Sequence, residues 1–213
     1  MENLPQKLQP SSRLASRHKT VTGSWLKELE GTSGSLAKAK AWACETWLLI
    51  DTSGSMGSEG IKQACLGAFA FAEQVTSSGY KVGVINFASD AITRCEPTCS
   101  ADEVRKSLQL CDASGGTDMT SAIILAFQRL SGREGLRSIC IVTDGAPNDE
   151  QSAIRAAKAA AADGVEIITI GVEGANEAFL RLIATKAELS KPVKKVELAA
   201  SMRKAAALLL PPR

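Results

Sequence analysis

Trp47-Leu48-Leu49-Ile50-Asp51-Thr52-Ser53-Gly54-Ser55-Met56 decides how the rest of the chain is read. An unbroken apolar run ends in a carboxylate, and two hydroxyls follow at alternate positions around a glycine. A long helical pattern begins directly afterwards, near Glu59. An apolar run, a small-residue turn and a helix make a strand, a loop and a helix. In an open α/β sheet such a loop lies at the carboxyl end of a strand, where ligands bind. Gly54 lets the backbone turn tightly enough for both hydroxyls to converge. Oxygen donors without thiol or imidazole suit Mg²⁺, Ca²⁺ or Mn²⁺ rather than zinc or copper.

Working outward, two further stretches carry the same chemistry. Gly115-Gly116-Thr117-Asp118-Met119-Thr120 is a glycine turn that delivers a hydroxyl at a helix start. Ile139-Cys140-Ile141-Val142-Thr143-Asp144-Gly145 is a second buried-type strand ending in an acid. Taken singly, each fragment has a plainer explanation: a serine capping a helix, or an aspartate closing a strand. The three in order make that explanation the weaker one.

Asp51-x-Ser53-x-Ser55, then Thr117, then Asp144, resembles the metal-ion-dependent adhesion site of von Willebrand factor type A domains. All five positions agree, and the resemblance runs over residues 46–210, as in compact stand-alone intracellular bacterial members. It implies a Rossmann-like, doubly wound α/β fold with a mainly parallel sheet. It also implies that Ser53, Ser55 and Thr117 contact a divalent cation, Mg²⁺ (or Mn²⁺ or Ca²⁺). Asp51 and Asp144 then act largely through water. Neutral hydroxyl ligands leave part of the cation's charge uncompensated, and an Asp or Glu of a partner protein can replace a water and neutralise it.

The implied function is a metal-dependent adaptor or regulatory subunit, not an enzyme. Partners implied by the resemblance include an AAA+ ATPase or a component of a kinase–phosphatase system, and the chain in isolation is expected to be a monomer. The competing expectation is a Mg²⁺-dependent hydrolase or phosphoesterase using the same residues. Against it, no phosphate loop of the G-x-x-x-x-G-K type is present. A Ser-His-Asp triad is disfavoured because the only histidine is His18, far upstream.

Composition sets the bounds. The 213 residues suffice for one ordinary domain and a tail. With 45% hydrophobic but only 4% aromatic residues, the core must be aliphatic and alanine-rich. The net charge is +2, and the first twenty residues hold a surplus of three positive charges, so the body is nearly neutral. That gives no electrostatic case for nucleic-acid binding. Six cysteines are scattered; Cys95 and Cys99 are close in sequence, but a lone C-x-x-x-C is a weak metal or disulfide signal. Free thiols fit a reducing compartment. No apolar run approaches the roughly 20 residues that cross a bilayer, and the first residues lack the apolar segment of a secretory leader. The expectation is a soluble cytoplasmic protein that binds neither membrane nor nucleic acid.

Residues 1–43 read as an arm and 44–213 as the domain. In the arm, Trp25 and Trp42 either pin it to the domain's flank, the favoured reading, or dock a partner. In the domain, strands are expected at 46–50, 80–88, 136–143, 165–172 and 193–198, with a short edge strand at 91–95 that Pro97 ends. Helices are expected at 59–77, from a capping box at Ser100 to about 110, from Thr117 to 130, and at 150–162, 175–187 and 199–210. In the resembled adhesion proteins the last helix moves on ligand binding; simple packing is the favoured role here. Alternation of strand and helix gives a mainly parallel sheet, whose right-handed crossovers bring Asp51, Thr117 and Asp144 to one edge.

Overall fold

The computed structural model describes residues 44–110, 113–185 and 190–209. The arm, including Trp25 and Trp42, lies outside the described residues, as do Cys111 and the closing prolines. The elements are β1 (Glu45–Asp51), α1 (Gly57–Thr76), β2 (Lys81–Phe87), β3 (Ala91–Thr98), α2 (Ala101–Ser107) and α3 (Met119–Leu130). Then come β4 (Arg137–Thr143), α4 (Glu150–Ala162), β5 (Glu166–Val172), α5 (Glu177–Ile183), β6 (Ser190–Val193) and α6 (Leu198–Leu209). One six-stranded sheet runs in the order β3-β2-β1-β4-β5-β6. Every pairing is parallel except β2 with β3.

β1 is buried along its whole length, because both faces of the sheet are covered. A strand alternates its side chains between faces, and here each parity finds its own core. Leu48 and Ile50 join Val82, Val84, Cys140 and Val142 under α1 and α6. Trp47 and Leu49 join Ile85, Ile139 and Ile141 under α3, α4 and α5. An apolar strand without alternation is the signature of such a doubly covered sheet. The alanine content has a use in this arrangement: Ala64, Ala68 and Ala72 of α1 are fully buried, so the helix backbone packs close to its neighbours. Gly67 goes further, since a Cβ there would sit 2.4 Å from Met202 Sδ of α6.

Several boundaries differ from expectation. β3 continues through Pro97 to Thr98. It is an edge strand with register shifts opposite Val82 and Val84, and proline is tolerated at an edge bulge, where its missing N–H breaks no ladder bond. At Ser100 only half the capping box forms. Ser100 Oγ accepts from Glu103 N at 3.3 Å, while Ser100 N donates to Thr98 Oγ1 at 3.1 Å rather than to the glutamate. α5 is shorter than expected: Asn176 caps its start by accepting from Phe179 N at 3.1 Å, and the backbone turns extended at Ala184. The last strand comes earlier, at Ser190–Val193, with a 3-10 turn over Lys195–Glu197 where strand was expected.

Strand order reverses at the centre: β1 continues to β2 on one side and has β4 on the other. That reversal opens a crevice at the carboxyl ends of β1 and β4. Asp51 ends β1, and Asp144 follows β4 directly.

Candidate metal centre

Register brings the two acids close: Ile50 pairs with Val142, so Asp51 comes level with Thr143 and Asp144 follows one residue on. Asp51 is fully buried. Its Oδ1 accepts from Ser53 N at 2.8 Å, and its Oδ2 accepts from the hydroxyl of Thr143. Burial pushes the Asp51 carboxyl above its ordinary value of 3.8. Its hydrogen bonds with Ser53 and Thr143 oppose that rise, and the nearby Asp144 charge adds to it. A carboxylate held this way has both oxygens committed to the protein.

The loop after β1 turns as a short 3-10 helix, Gly54–Met56. Ser53 stands at its N-cap with extended dihedrals, yet its side chain makes no capping bond. Ser53 Oγ instead lies 3.0 Å from Ser55 Oγ, and Ser55 Oγ donates to Asp144 Oδ1 at 2.8 Å. Helix capping therefore does not explain these serines. That role falls elsewhere: Asp118 Oδ1 accepts from Ser121 N at 3.0 Å, and Asp149 Oδ1 from Ser152 N at 3.0 Å.

The third loop is tied to the first two by backbone. Ser114 N donates to Thr52 O at 2.9 Å, and Gly54 N to Gly115 O at 3.3 Å. Gly115 has φ +80°, and a Cβ there would meet Ser89 Oγ at 2.5 Å, so the turn demands glycine. Thr117 precedes α3 rather than starting it; the cap is Asp118. Asn148, from the loop after β4, grips Thr117 twice. Its Oδ1 accepts from Thr117 N at 3.1 Å, and its N donates to Thr117 O at 3.0 Å.

Gly145 measures the convergence. A Cβ built there would lie 3.8 Å from both Ser55 Oγ and Thr117 Oγ1. Asp51, Ser53, Ser55, Thr117 and Asp144 thus meet at one place. Thr117 and Asp144 are 8% and 9% exposed, whereas Gly54 and Ser55 are exposed, so the cluster opens to solvent on one side. Asp118 does not face this cluster with a free carboxylate, because Ser121 Oγ also donates to its Oδ2 at 2.6 Å.

Thr143 and Asn148 were not singled out from sequence. Thr143 was findable: it shares the strand parity of Ile139 and Ile141, and hence the face of Asp51. Asn148 had no signal beyond lying in a loop.

Among the described residues, no group of three or more His, Cys, Asp or Glu side chains is placed to hold a metal. Any cation at this site would depend on hydroxyls. Cys95 and Cys99 are free thiols. No described helix is long and apolar enough to cross a membrane.

Comparison with known proteins gives a consistent picture. The family model described as von Willebrand factor type A domain matches residues 47–206. A UPF0353 protein of Mycolicibacterium paratuberculosis is 32% identical over 143 residues, covering 58% of this chain. The match spans only 42% of that relative's length. Among solved structures, the vWF domain of the type V pili tip protein Mfa5 from Porphyromonas gingivalis superposes with a TM-score of 0.72 at 13% identity. That match covers 78% of this chain and 94% of that one. The pilus adhesin SpaC from Lactobacillus rhamnosus GG gives a TM-score of 0.66 at 16% identity, over 78% of this chain and 30% of the adhesin.

Proposed function

Because this chain belongs to the von Willebrand factor type A domain family, we propose that it is a metal-dependent protein-interaction module with an adaptor or regulatory role. A divalent cation held by Ser53, Ser55 and Thr117 binds an acidic side chain of a partner protein. Asp51 and Asp144 act from one step further out. The observation that carries this reading is the meeting of three loops at the sheet's switch point, which bring three hydroxyls beside two carboxylates. A pilus tip protein and a pilus adhesin among the structural neighbours lend it support.

The donor set fits a hard cation. Ser53 Oγ and Ser55 Oγ are 3.0 Å apart. Adjacent ligands of an octahedral Mg²⁺, with bonds of about 2.1 Å, are separated by about 3.0 Å. The two hydroxyls are thus spaced to share one hard divalent cation, Mg²⁺, Mn²⁺ or Ca²⁺. Ser55 spends its proton on Asp144, which leaves its lone pairs for a cation. Asp51 already accepts from Ser53 N and Thr143, so it orients the loop rather than binding directly. When bound, the cation supplies a Lewis-acidic position for a carboxylate. The protein's part is to hold three neutral oxygens and leave that position open to solvent.

The test is affinity capture with the full chain from native extract, in Mg²⁺ and then in EDTA. A partner retained only with Mg²⁺, lost on Thr117→Ala, and lost again when one of its own Asp or Glu residues becomes Asn or Gln, meets the expectation. Retention through both EDTA and Ser53→Ala contradicts it. The hydrolytic alternative has its own test: Mg²⁺-dependent turnover of a generic phosphoester, abolished by Ser53→Ala, would replace this reading.

A further inference from the structure

We propose that the groove between α1 and α2 is a second contact for the same partner, seating an apolar side chain next to an acidic one. This rests on the partner being captured at the metal centre, and adds the chemistry of the segment that is captured.

The groove has a volume of about 620 Å³, within the range of sites that enclose a ligand. Its walls are Ile61, Leu66 and Phe69 of α1 and Leu108 beyond α2. Leu66 is 50% exposed, although the other side of its helix is deep in the core. Two cations, Lys62 and Arg105, also line the groove, and among the described residues no carboxylate does. Lys62 makes no ion pair among the described residues. Arg105 bonds Asp102 at 3.1 Å, with both side chains well exposed. Its guanidinium carbon lies 5.4 Å from the Phe69 ring centroid, which lays the charge over an apolar wall. Apolar walls with a cationic rim match a peptide bearing large apolar and acidic side chains. A polyanion such as nucleic acid would have no use for the walls.

Position links the groove to the metal centre. Its upper end is lined by Ser58 and Ala113. Ser58 is in the first turn of α1, just after Ser55. Ala113 adjoins Ser114, whose N–H bonds Thr52 O at 2.9 Å in the loop that delivers Ser53 and Ser55. The groove therefore begins where the metal-binding loops end. An extended partner chain advances about 3.3 Å per residue, so an acid at the metal centre places a side chain a few residues away over Ile61 and Leu66. A second acid meets Lys62.

The experiment selects random dodecapeptides on the full chain in Mg²⁺, labels the best binder with fluorescein and measures its anisotropy. It is titrated against wild type with and without EDTA, and against Thr117→Ala, Lys62→Glu and Leu66→Ser. Lys62 and Leu66 are exposed, so their variants keep the fold, which thermal melting verifies. The expected binder carries an acid followed within a few residues by a large apolar side chain. Lys62→Glu and Leu66→Ser should each weaken it by about tenfold. Loss in EDTA and in Thr117→Ala, with no change in Lys62→Glu or Leu66→Ser, overturns the groove and leaves metal capture standing. Retention in EDTA with loss in Lys62→Glu does the reverse. A selection that yields no binder sensitive to Lys62→Glu or Leu66→Ser also overturns the groove.

Discussion

Ser55 Oγ donates to Asp144 Oδ1 at 2.8 Å, joining residues 89 positions apart in the chain. This bond ties the loop after β1 to the loop after β4 and commits the serine's proton to the carboxylate. Ser55 is exposed, so the bond itself contributes only about 1 kcal/mol to stability. Ser55→Ala should therefore lower the cation-free unfolding free energy by no more than that. In wild type, Mg²⁺ at a hundredfold excess over its Kd should add about 2.7 kcal/mol. Urea titrations with Mg²⁺ and with EDTA read both quantities. A Ser55→Ala chain that Mg²⁺ still stabilises fully would show that this serine does not hold the cation.

Asp51 gives a pH prediction for the cation-free chain. Burial raises its carboxyl above the ordinary 3.8. A carboxyl raised in the folded state binds its proton more tightly there than in the unfolded chain. Its contribution is then fully present below the unfolded value and is lost as pH rises through the folded one. In EDTA, wild type should lose stability on going from acid toward neutral pH at this site, and Asp51→Asn should lack that component. Paired urea titrations across this range decide it. Identical pH slopes for the two chains would contradict the assignment. Asp51→Asn should also lose cation binding, which separates the role of this acid in the site from any role in holding the fold.

Tyr80 is the single tyrosine of the chain, so tyrosinate absorbance reports it alone. It is buried, and its hydroxyl donates to Leu209 O at 2.8 Å. Burial, with Cys44 beside it, pushes the phenol from 10.0 up to about 12. The folded state holds the proton that the unfolded chain has released, so stability should fall as pH rises from about 10 to 12. Tyr80→Phe should remove that alkaline component. Tyrosinate absorbance rising at pH 10 in the still-folded protein would contradict this.

Gly83 lies against the ring of Trp47, with a Cβ position only 2.7–2.8 Å from three ring carbons. Trp47 is fully buried, and its Nε1 donates to Glu45 Oε1 at 3.0 Å, so the ring has little freedom to retreat. Gly83→Ala should destabilise the domain by about 1–3 kcal/mol through overpacking, measured by urea or thermal unfolding. A change near zero would mean that the ring gives way.

The packing of Trp47 on Gly83 also shows what the sequence left unread. Periodicity identified β1 and β2, because apolar runs of that length between turn residues have few other uses. It did not show that Trp47 and Gly83 are register partners, since pairing depends on long-range contacts. The convergence of the five candidate residues was legible because each sits at a strand end or glycine turn, and strand ends in this topology share one edge. Thr143 was open to a parity argument that the reading did not make, whereas Asn148 escaped because its contacts with Thr117 are made across loops. The run of β3 through Pro97 was missed for a related reason. Local proline chemistry argues for a break, but an edge strand with a bulge has no ladder bond there to lose. The early arrival of β6 reflects a short edge strand with little periodic signal. Its pairing Val172↔Val193 fixes it, not any pattern within residues 190–193.

The central claim is that Ser53, Ser55 and Thr117 hold one hard divalent cation with positions left over for an outside carboxylate. Water-proton relaxation of Mn²⁺ titrated into the full chain tests it most directly, because it counts bound ion and reports coordinated water together. Saturable uptake of one equivalent with enhanced relaxation, lost in the Ser53→Ala/Ser55→Ala double variant and reduced when free acetate is added, is the predicted result. No uptake by wild type, or the same uptake by the double variant, would contradict it.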